Sequence, residues 1–557
     1  MQLRFLGAVK GVTGSNHLIQ FKDKLIMLDC GMFQGKDEDL NYEELQVNPA
    51  DIDYLFLSHS HIDHSGRIPC FVKKGFQGKI YCSKPTYDLC KIMLLDSAHI
   101  QEMEAQWKNK KAQRLGKPLV EPLYTQQDVE NSFQFFQPVL YDQYIEIDRN
   151  LTIRFRDAGH MLGSSIIEIW LKEEEETIKI VFSGDLGMQE KPILKDPEII
   201  DYADYVIMES TYGNRVHKDI KKSEEEFIHI ILQTIRQGGT VIIPSFAVGR
   251  TQEIIYELNK YYDKHHDFIS DEFRELKKIP VYIDSPLAIK ATEVFRKNMH
   301  VFDEEAKNYL ISGDNPLDFG NLHFIQSTEE SKALNFSQEP KIIISSSGMC
   351  DAGRIKHHLK HNLWKENCSI VFVGYQAEGT LGRKILDGIK DVKILGERIH
   401  IKAKIYNIEG FSGHADKNGL MNWLKNFKEK PQKVFIVHGE TQSKADFAEE
   451  VEKNLGINCM IPSYNTTYEI ISKTSMRELV EEEEKGNKKS IIAFKEKQIS
   501  ALKEEIEILK ELFQKSFDLI EKSIDTNEIG IEEYKNINNK LLEIENNIMD
   551  LTILSEK

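Results

Sequence analysis

The residues that most constrain this chain are the six at positions 59–64, which read His-Ser-His-Ile-Asp-His. They follow an apolar run at residues 54–57 that is typical of a buried strand. Histidine and aspartate are poor strand formers and are costly to bury without partners, so packing alone does not explain them. They are good ligands for a divalent ion, above all zinc. The sequence therefore predicts a metal site at the end of a strand.

The spacing within this cluster predicts positions for two metal ions. His59 and His61 are two residues apart, so their side chains point the same way in an extended segment. Asp63 and His64 are adjacent, so they diverge from that pair and can face a second ion. Two simpler explanations fit less well, because a tag-like tract would not follow a buried strand and a structural zinc site would be richer in cysteine.

Composition is that of a globular protein with several domains. The chain has 557 residues, 41% of them hydrophobic and 29% charged, which is too long for one ordinary core. The N-terminus lacks the basic region and apolar core of a signal peptide, and the seven cysteines form no C-x-x-C pair. We therefore expect reduced thiols, a cytoplasmic protein and no membrane segment. The net charge of −17 disfavours broad binding of polyanions but leaves a local phosphate site open.

Short apolar strands alternate with helical stretches over most of the chain, which indicates a layered α/β fold. Several strands end in a polar residue, notably Asp29, His160 and Asp185, and sites in such folds collect at strand ends. Each of these residues alone is weak evidence, because an aspartate or histidine beside a glycine is more often a turn or loop residue. The predicted strands cover residues 1–6, 25–28, 54–57, 151–155, 165–171, 178–182, 205–208, 240–243, 281–283, 341–344, 370–373, 404–408 and 433–437.

In the order of these residues the chain resembles the metallo-β-lactamase superfamily, whose pattern is an aspartate, an H-x-H-x-D-H cluster, a histidine and an aspartate. The resemblance implies four roles for the matching residues: His59, His61 and His160 for a first metal, Asp63 and His64 for a second, Asp185 as a bridge, and Asp29 as a carboxylate that orients ligands from outside. The fold hosts lactam, thioester and phosphodiester hydrolysis, so it does not decide the function.

Motifs beyond Asp185 resemble those of the β-CASP nucleases, in particular relatives of the nuclease subunit of the eukaryotic mRNA 3′-end cleavage complex. Glu209 matches motif A, His414 matches motif B and His438 matches motif C. RNA-processing members carry histidine at motif C where DNA-processing members carry valine, so the resemblance implies an RNA substrate. It also implies that His438 completes the ligands of the second metal.

The resemblance covers residues 1–470 and implies an α/β fold: a metallo-β-lactamase αββα sandwich with an inserted α/β β-CASP domain. The expected limits are 1–208 and 395–470 for the two parts of the sandwich, 209–394 for the β-CASP domain, and 471–557 for a C-terminal α-helical extension. Within that extension, apolar residues repeat at heptad-like spacing in two series. A helical hairpin packed on its own protein and a coiled coil that makes a homo-oligomer both remain open.

These sites together predict a zinc-dependent ribonuclease that acts on single-stranded RNA as an endonuclease, a 5′-exonuclease or both. Two Zn²⁺ ions lower the pKa of a bridging water, so that hydroxide exists at neutral pH, and they stabilise charge on the phosphate. His414 would give a proton to the leaving 3′-oxygen, and Glu209 would favour its protonated form. Asp63 and Asp185 belong to the catalytic set as metal ligands. The products would carry 5′-phosphate and 3′-hydroxyl ends.

Contacts to RNA phosphates are predicted at Ser245, Arg250, Ser347 and Arg354, since arginine forks and hydroxyls match phosphate oxygens. Each of these side chains could equally make internal contacts. Two other functions stay open: a small-molecule hydrolase of the metallo-β-lactamase fold and a non-catalytic RNA-binding scaffold. The inserted domain and the three motifs oppose the first, and the complete ligand set opposes the second.

Overall fold

Twenty-two strands form in the part of the chain that the structure describes. The structure is a computed structural model, and it describes residues 1–471 apart from 174–175, 219, 263–272, 312–314, 378, 409 and 411. The strands are β1 (Gln2–Phe5), β2 (His17–Phe21), β3 (Lys24–Leu28), β4 (Tyr54–Phe56), β5 (Lys79–Ser83), β6 (Phe136–Val139), β7 (Ile145–Asp148), β8 (Leu151–Asp157), β9 (Ser165–Glu173), β10 (Glu176–Phe182), β11 (Tyr205–Met208), β12 (Thr240–Pro244), β13 (Val281–Ile283), β14 (Leu322–Phe324), β15 (Lys341–Ser345), β16 (Ser369–Phe372), β17 (Asp391–Ile394), β18 (Glu397–His400), β19 (Lys404–Asn407), β20 (Lys433–Ile436), β21 (Cys459–Met460) and β22 (Thr467–Glu469).

Thirteen α-helices connect these strands within the same described residues. The longest begins after Ser83, whose side chain accepts a hydrogen bond from the Thr86 amide and so caps the first turn. The helices are α1 (Ile62–Ser65), α2 (Ile68–Lys73), α3 (Lys84–Arg114), α4 (Gln126–Ser132), α5 (Ile220–Arg236), α6 (Arg250–Tyr262), α7 (Pro286–Lys297), α8 (Glu304–Ile311), α9 (Thr328–Phe336), α10 (Ile355–Asn362), α11 (Leu381–Leu386), α12 (Lys417–Lys425) and α13 (Thr441–Leu455).

Two seven-stranded sheets face each other in a sandwich, with the orders β22-β1-β2-β3-β4-β5-β6 and β21-β20-β11-β10-β9-β8-β7. One apolar cluster fills the space between them, with Phe5 and Ile19 from the first sheet and Ile167 and Phe182 from the second. Helices α2, α3 and α4 pack on the outer side of the first sheet, and α12 and α13 pack on that of the second. This is the αββα sandwich that the sequence predicted.

A third sheet, of six parallel strands in the order β14-β13-β15-β12-β16-β19, lies in the inserted part of the chain. Helices cover both of its faces, as a parallel sheet requires, with α5, α6 and α7 on one side and α10 and α11 on the other. The apolar cluster on the first face also includes Leu89, Met93, Met161 and Leu162 of the sandwich. The inserted part and the sandwich therefore share one core.

Every strand predicted from the sequence forms, and most of these strands are largely buried, although the residues of β19 are only half-buried. Strand β19 pairs in parallel with β16 of the third sheet, although it follows residue 394, where the sequence predicted a return to the sandwich. The residues of a strand do not determine which other strand it pairs with. The expected domain limits stay a prediction.

From residue 472 onward, the predicted helical extension lies outside the described residues. No helix of the described part is both long and apolar enough to span a membrane.

Candidate metal centre

The predicted ligands lie in loops that follow strand ends, and these loops meet at one edge of the sandwich. Asp29 and the cluster at residues 59–64 follow β3 and β4, which are parallel neighbours in the first sheet. Asp185, Glu209 and His438 follow β10, β11 and β20, which are parallel neighbours in the second sheet. Because the carboxyl ends of parallel strands lie at the same edge, residues far apart in sequence come together there.

The cluster at residues 59–64 changes conformation halfway along. The chain is extended at His61, and the short helix α1 (Ile62–Ser65) begins directly afterwards. Asp63 and His64 therefore lie on a helical turn. Their ligand atoms fall in a different candidate group from those of His59 and His61, although the His64 ring lies only 4.0 Å from the His59 ring. The sequence predicted that these two pairs diverge along an extended segment, and the service of two separate ions stays a prediction.

The first group of candidate ligands consists of His59, His61, His160 and Asp185, which offer ligand atoms within 4.8 Å of one another. His61 Nδ1 lies 3.1 Å from His59 Nε2 and 3.2 Å from His160 Nε2. Asp185 Oδ2 lies 3.5 Å from His59 Nε2 and 3.7 Å from His160 Nε2. Tetrahedral zinc with bonds of about 2.0–2.1 Å holds its nitrogen ligands roughly 3.3 Å apart, so this spacing fits a zinc ion.

The second group consists of Asp63, His64 and His438. The Nε2 atoms of His64 and His438 are 3.1 Å apart, and Asp63 Oδ2 lies 3.9 Å from the first and 3.6 Å from the second. Asp185 reaches this group too, because its Oδ2 lies 3.3 Å from His64 Nε2. Asp185 Oδ1 is buried and accepts no hydrogen bond from any described residue, although His438 Nδ1 lies 3.4 Å from it. A buried carboxylate oxygen without a donor is costly, and a metal ion would satisfy it.

The protonation states of the first group suit metal binding. Burial lowers the pKa of His59 and His160 well below 6.5 and lowers that of His61 to about 4. The imidazoles are therefore neutral, which is the form that binds a metal. At His64 burial also opposes charge, but the carboxylates of Asp185 and Asp29 outweigh it and raise the pKa. The carboxylates around His64 thus favour positive charge at the second group.

Buried hydrogen bonds orient the ligand rings from behind. Asp29 Oδ2 accepts a hydrogen bond of 2.6 Å from His64 Nδ1, which leaves His64 Nε2 to face the cluster. The same carboxylate accepts the Ser58 amide at 2.8 Å and the Ser15 hydroxyl at 3.0 Å. His160 Nδ1 donates to the carbonyl oxygen of Gly413 at 3.0 Å, which likewise turns its Nε2 inward. Asp29 therefore holds His64 from the side opposite to Nε2.

A third group, formed by Asp185, Glu209 and His414, adjoins the first two. His414 Nδ1 lies 3.2 Å from both carboxylate oxygens of Glu209 and 3.9 Å from Asp185 Oδ2. Glu209 is buried and also accepts the amides of Leu186 and Thr211, at 2.7 and 3.2 Å. Burial opposes charge on His414, but Glu209 and Asp185 raise its pKa above 6.5. With Nδ1 on Glu209, Nε2 remains available to a substrate.

Three of the four predicted phosphate contacts are directed elsewhere. Arg354 Nη1 binds Asp284 Oδ1 at 2.6 Å, and Nη2 donates to the carbonyl oxygen of Gln326 at 2.9 Å. Ser245 is buried, and its hydroxyl donates to a backbone carbonyl oxygen. The Ser347 hydroxyl donates to the carbonyl oxygen of Ala352. These internal contacts account for the polar atoms of the three side chains.

Arg250 is the predicted phosphate contact that does lie beside the metal centre. A Cβ atom placed on Gly413 would lie 3.8 Å from Arg250 Nη2 and 3.2 Å from His160 Cε1. Reasoning from sequence missed Lys191, which donates to the carbonyl oxygen of His160 at 2.7 Å, and no motif marks that lysine. It also missed Thr211, whose Oγ1 lies 3.1 Å from His438 Nδ1, although this threonine is two residues from Glu209.

Asp157 ends β8, and its Oδ1 accepts the Gly159 amide at 2.9 Å in the turn that leads to His160. Burial raises its pKa from 3.8 to about 7. Between pH 3.8 and about pH 7, the Asp157 carboxyl group holds its proton in the folded protein but loses it in the unfolded chain. The free energy of unfolding therefore falls as the pH rises through this range. Asp157→Asn keeps the acceptor without the charge, so we expect the free energy of unfolding to rise by about 1–3 kcal/mol at pH 8 and to change little at pH 4. Urea unfolding at both pH values measures this, and an equal gain at both would contradict it.

Comparison with known proteins gives the chain its class. A model described as a metallo-beta-lactamase superfamily domain matches residues 18–207, and a Beta-Casp domain matches residues 251–385. A third model, described as a Zn-dependent metallo-hydrolase RNA specificity domain, matches residues 398–462. The class is therefore a metallo-hydrolase with an inserted Beta-Casp domain.

Individual relatives then show the family. The chain is 36% identical to Ribonuclease TTHA0252 of Thermus thermophilus over 79% of this chain and 94% of that protein. It is 32% identical to the RNase J-like protein of Methanocaldococcus jannaschii, over 83% and 98% of the two chains. It is 30% identical to Transcription termination factor FttA of the same organism, over 81% and 69%. The chain belongs to the β-CASP ribonuclease family of the metallo-β-lactamase superfamily, as its motifs predicted.

Proposed function

We propose that this protein is a zinc-dependent ribonuclease that hydrolyses phosphodiester bonds of single-stranded RNA. The observation that carries the proposal is the position of Asp185, whose carboxylate lies between two groups of candidate ligands with His414 and Glu209 alongside. The match to an RNA specificity domain and the name of the Thermus thermophilus relative support RNA as the substrate.

Two zinc ions suit the donors that the chain offers. His59, His61 and His160 would hold one ion, Asp63, His64 and His438 would hold the other, and Asp185 would touch both. Imidazole nitrogen is a good zinc ligand, whereas magnesium and calcium prefer oxygen. When bound, the ions would lower the pKa of a water molecule so that it attacks at neutral pH, and they would neutralise charge on the phosphate.

His414 supplies the proton that the leaving group needs. As the oxygen of the attacking water bonds to phosphorus, the bond from phosphorus to the 3′-oxygen breaks, and His414 Nε2 protonates that oxygen. Glu209 holds His414 through Nδ1 and stabilises its charged form, which is why the pKa of His414 is raised despite burial. The products are a 5′-phosphate and a 3′-hydroxyl, and no RNA 2′-hydroxyl takes part.

The depth of the site favours a single strand over a duplex. Asp185 is 2% exposed and the His414 side chain is 22% exposed, so the reacting groups lie below the surface. The backbone of an unpaired strand can enter such a site, whereas the stacked backbone of a duplex cannot follow it. The cytoplasm is the proposed compartment, because all seven cysteines are free and six of them are buried.

The test is to measure the metal content of the purified protein and to incubate it with 5′-labelled single-stranded RNA. We expect about two zinc ions per chain, products with 5′-phosphate and 3′-hydroxyl ends, and loss of cleavage with a chelator that added zinc reverses. Single-stranded DNA and duplex RNA of the same sequence are the controls. Bound metal without RNA cleavage would favour a small-molecule hydrolase, and RNA binding without metal would favour a scaffold.

A further inference from the structure

Three buried charged side chains connect the inserted part of the fold to the loop that carries His160. Lys191 lies between β10 and β11 of the sandwich, and Arg250 and Glu253 lie in the first turn of α6. Their exposed fractions are 6%, 8% and 3% respectively. Burying charges is costly even when they are paired, and the proposed chemistry gives no role to Lys191 or Glu253.

The carboxylate of Glu253 is shared between the two cations. Its Oε1 lies 2.6 Å from Lys191 Nζ, and its Oε2 contacts Arg250 Nη1. The same Lys191 ammonium group donates to the backbone carbonyl oxygen of His160 at 2.7 Å. An unbroken chain of polar contacts therefore leads from a candidate metal ligand, through Lys191 and Glu253, to Arg250. We call these three charged residues, Lys191, Glu253 and Arg250, the charge clamp.

The Arg250 end of the charge clamp lies close to the metal centre. Arg250 Nη2 and the ring of His160 both lie within 4 Å of the position that a Cβ atom on Gly413 would occupy. Gly413 directly precedes His414, so the guanidinium lies near the backbone that carries the proposed proton donor. Two cations share one carboxylate, which leaves a net positive charge at this end. A guanidinium with that surplus matches a phosphate.

We propose, on the basis of the proposed ribonuclease function, that Glu253 is a positioning residue that aims Arg250 at a phosphate of the bound RNA. Because it holds Lys191 at the same time, Glu253 fixes the guanidinium relative to His160 across the junction of the inserted part and the sandwich. Glutamine has one acceptor oxygen and no charge, so it cannot hold both cations. Glu253→Gln should therefore release Arg250 while leaving the metal ligands in place.

The chain offers a matched control in Glu168. Its carboxylate is also buried between a lysine and an arginine, with Oε1 at 2.6 Å from Lys179 Nζ and Oε2 at 2.5 Å from Arg154 Nε. These three residues lie within strands β8, β9 and β10 rather than in the loops that carry the site. Glu168→Gln thus removes the same kind of buried charge from the body of the sheet.

The experiment compares Glu253→Gln, Glu168→Gln, Arg250→Met and the double variant Arg250→Met/Glu253→Gln in the zinc-loaded protein. We expect Glu253→Gln to lower kcat/KM for single-stranded RNA by about ten- to a hundredfold with unchanged zinc content. Glu168→Gln should lower the urea midpoint without changing kcat or KM. The double variant should be no worse than Arg250→Met, because coupled residues are not additive. Equilibrium binding of the RNA should weaken in Glu253→Gln as it does in Arg250→Met.

Two results would overturn the role of Glu253 and leave the ribonuclease intact. One is a Glu253→Gln protein that cleaves RNA as the wild type does. The other is a double variant whose loss is the product of the two single losses, since Glu253 would then act independently of Arg250. If the wild-type protein neither binds nor cleaves RNA, both the proposed ribonuclease function and the positioning role of Glu253 are refuted.

Discussion

Asp185→Asn is expected to lower the zinc content to one ion or fewer per chain and to reduce RNA cleavage by about a thousandfold or more. Asp185 Oδ2 lies 3.5 Å from His59 Nε2 in one group of candidate ligands and 3.3 Å from His64 Nε2 in the other. Asparagine preserves the size of the side chain but supplies one neutral oxygen, which cannot replace a charged carboxylate between two cations. Metal analysis and single-turnover cleavage of labelled RNA measure both effects.

Asp204→Asn is the control for that variant. Asp204 is also buried, and its Oδ2 accepts the Lys179 amide at 2.9 Å, but it belongs to none of the candidate ligand groups of the described residues. We expect Asp204→Asn to keep its zinc and its activity, with lower stability at most. An Asp185→Asn protein that retained two zinc ions and cleaved RNA normally would refute the bridging role.

His414→Ala is expected to bind zinc as the wild type does and to lose about a hundred- to ten-thousandfold in kcat, the usual contribution of a general acid. The reason is that His414 belongs to the third candidate group with Glu209, whereas the imidazoles proposed to hold the ions lie in the other two. Zinc content, KM and kcat separate loss of metal from loss of the proton donor. His99→Ala, on the exposed surface of α3, is the control and should change none of them.

The pH profile of Glu209→Gln provides an independent check on the same proton donor. Glu209 and Asp185 raise the pKa of His414, so the donor stays protonated above pH 6.5 and kcat falls as the pH rises through the raised value. Removing the charge of Glu209 lowers that pKa, and the alkaline fall in kcat should move to lower pH. If kcat of Glu209→Gln fell at the same alkaline pH as that of the wild type, another group would be the proton donor.

The local chemistry of the site could be predicted from single segments. The apolar run before His59 predicts a strand because its residues are suited to burial, and that strand forms as β4. The ligand types in the cluster predict a metal because no packing argument explains three histidines and an aspartate together. The division of the cluster between two ions was predicted for an extended segment, whereas Asp63 and His64 lie on a helical turn, so that division stays a prediction.

Whether a predicted phosphate contact makes an internal contact instead depends on residues far away in the chain. Arg354 and Arg250 both lie near serine-rich or glycine-rich loops. The residues around them in the sequence do not indicate which of the two is free to bind a phosphate. Arg354 forms an internal ion pair with Asp284. Arg250 instead pairs with Glu253 and lies close to Gly413. The difference arises because a guanidinium pairs with whichever carboxylate the packing places within reach.

Residues 59–64 thus show which properties are local and which are not. Their identity and spacing were enough to predict metal ligands at a strand end, because ligand chemistry and burial are properties of short segments. The family resemblance also needed Asp29, His160, Asp185 and the later motifs. The family resemblance implied that His160, Asp185 and His438 join these ligands, and the packing of two sheets brings them within reach. The contacts of Glu253 with Lys191 and Arg250 came only from the packing of the inserted part on the sandwich. Such contacts join residues far apart in the chain, and only the packed fold determines which of them come within reach.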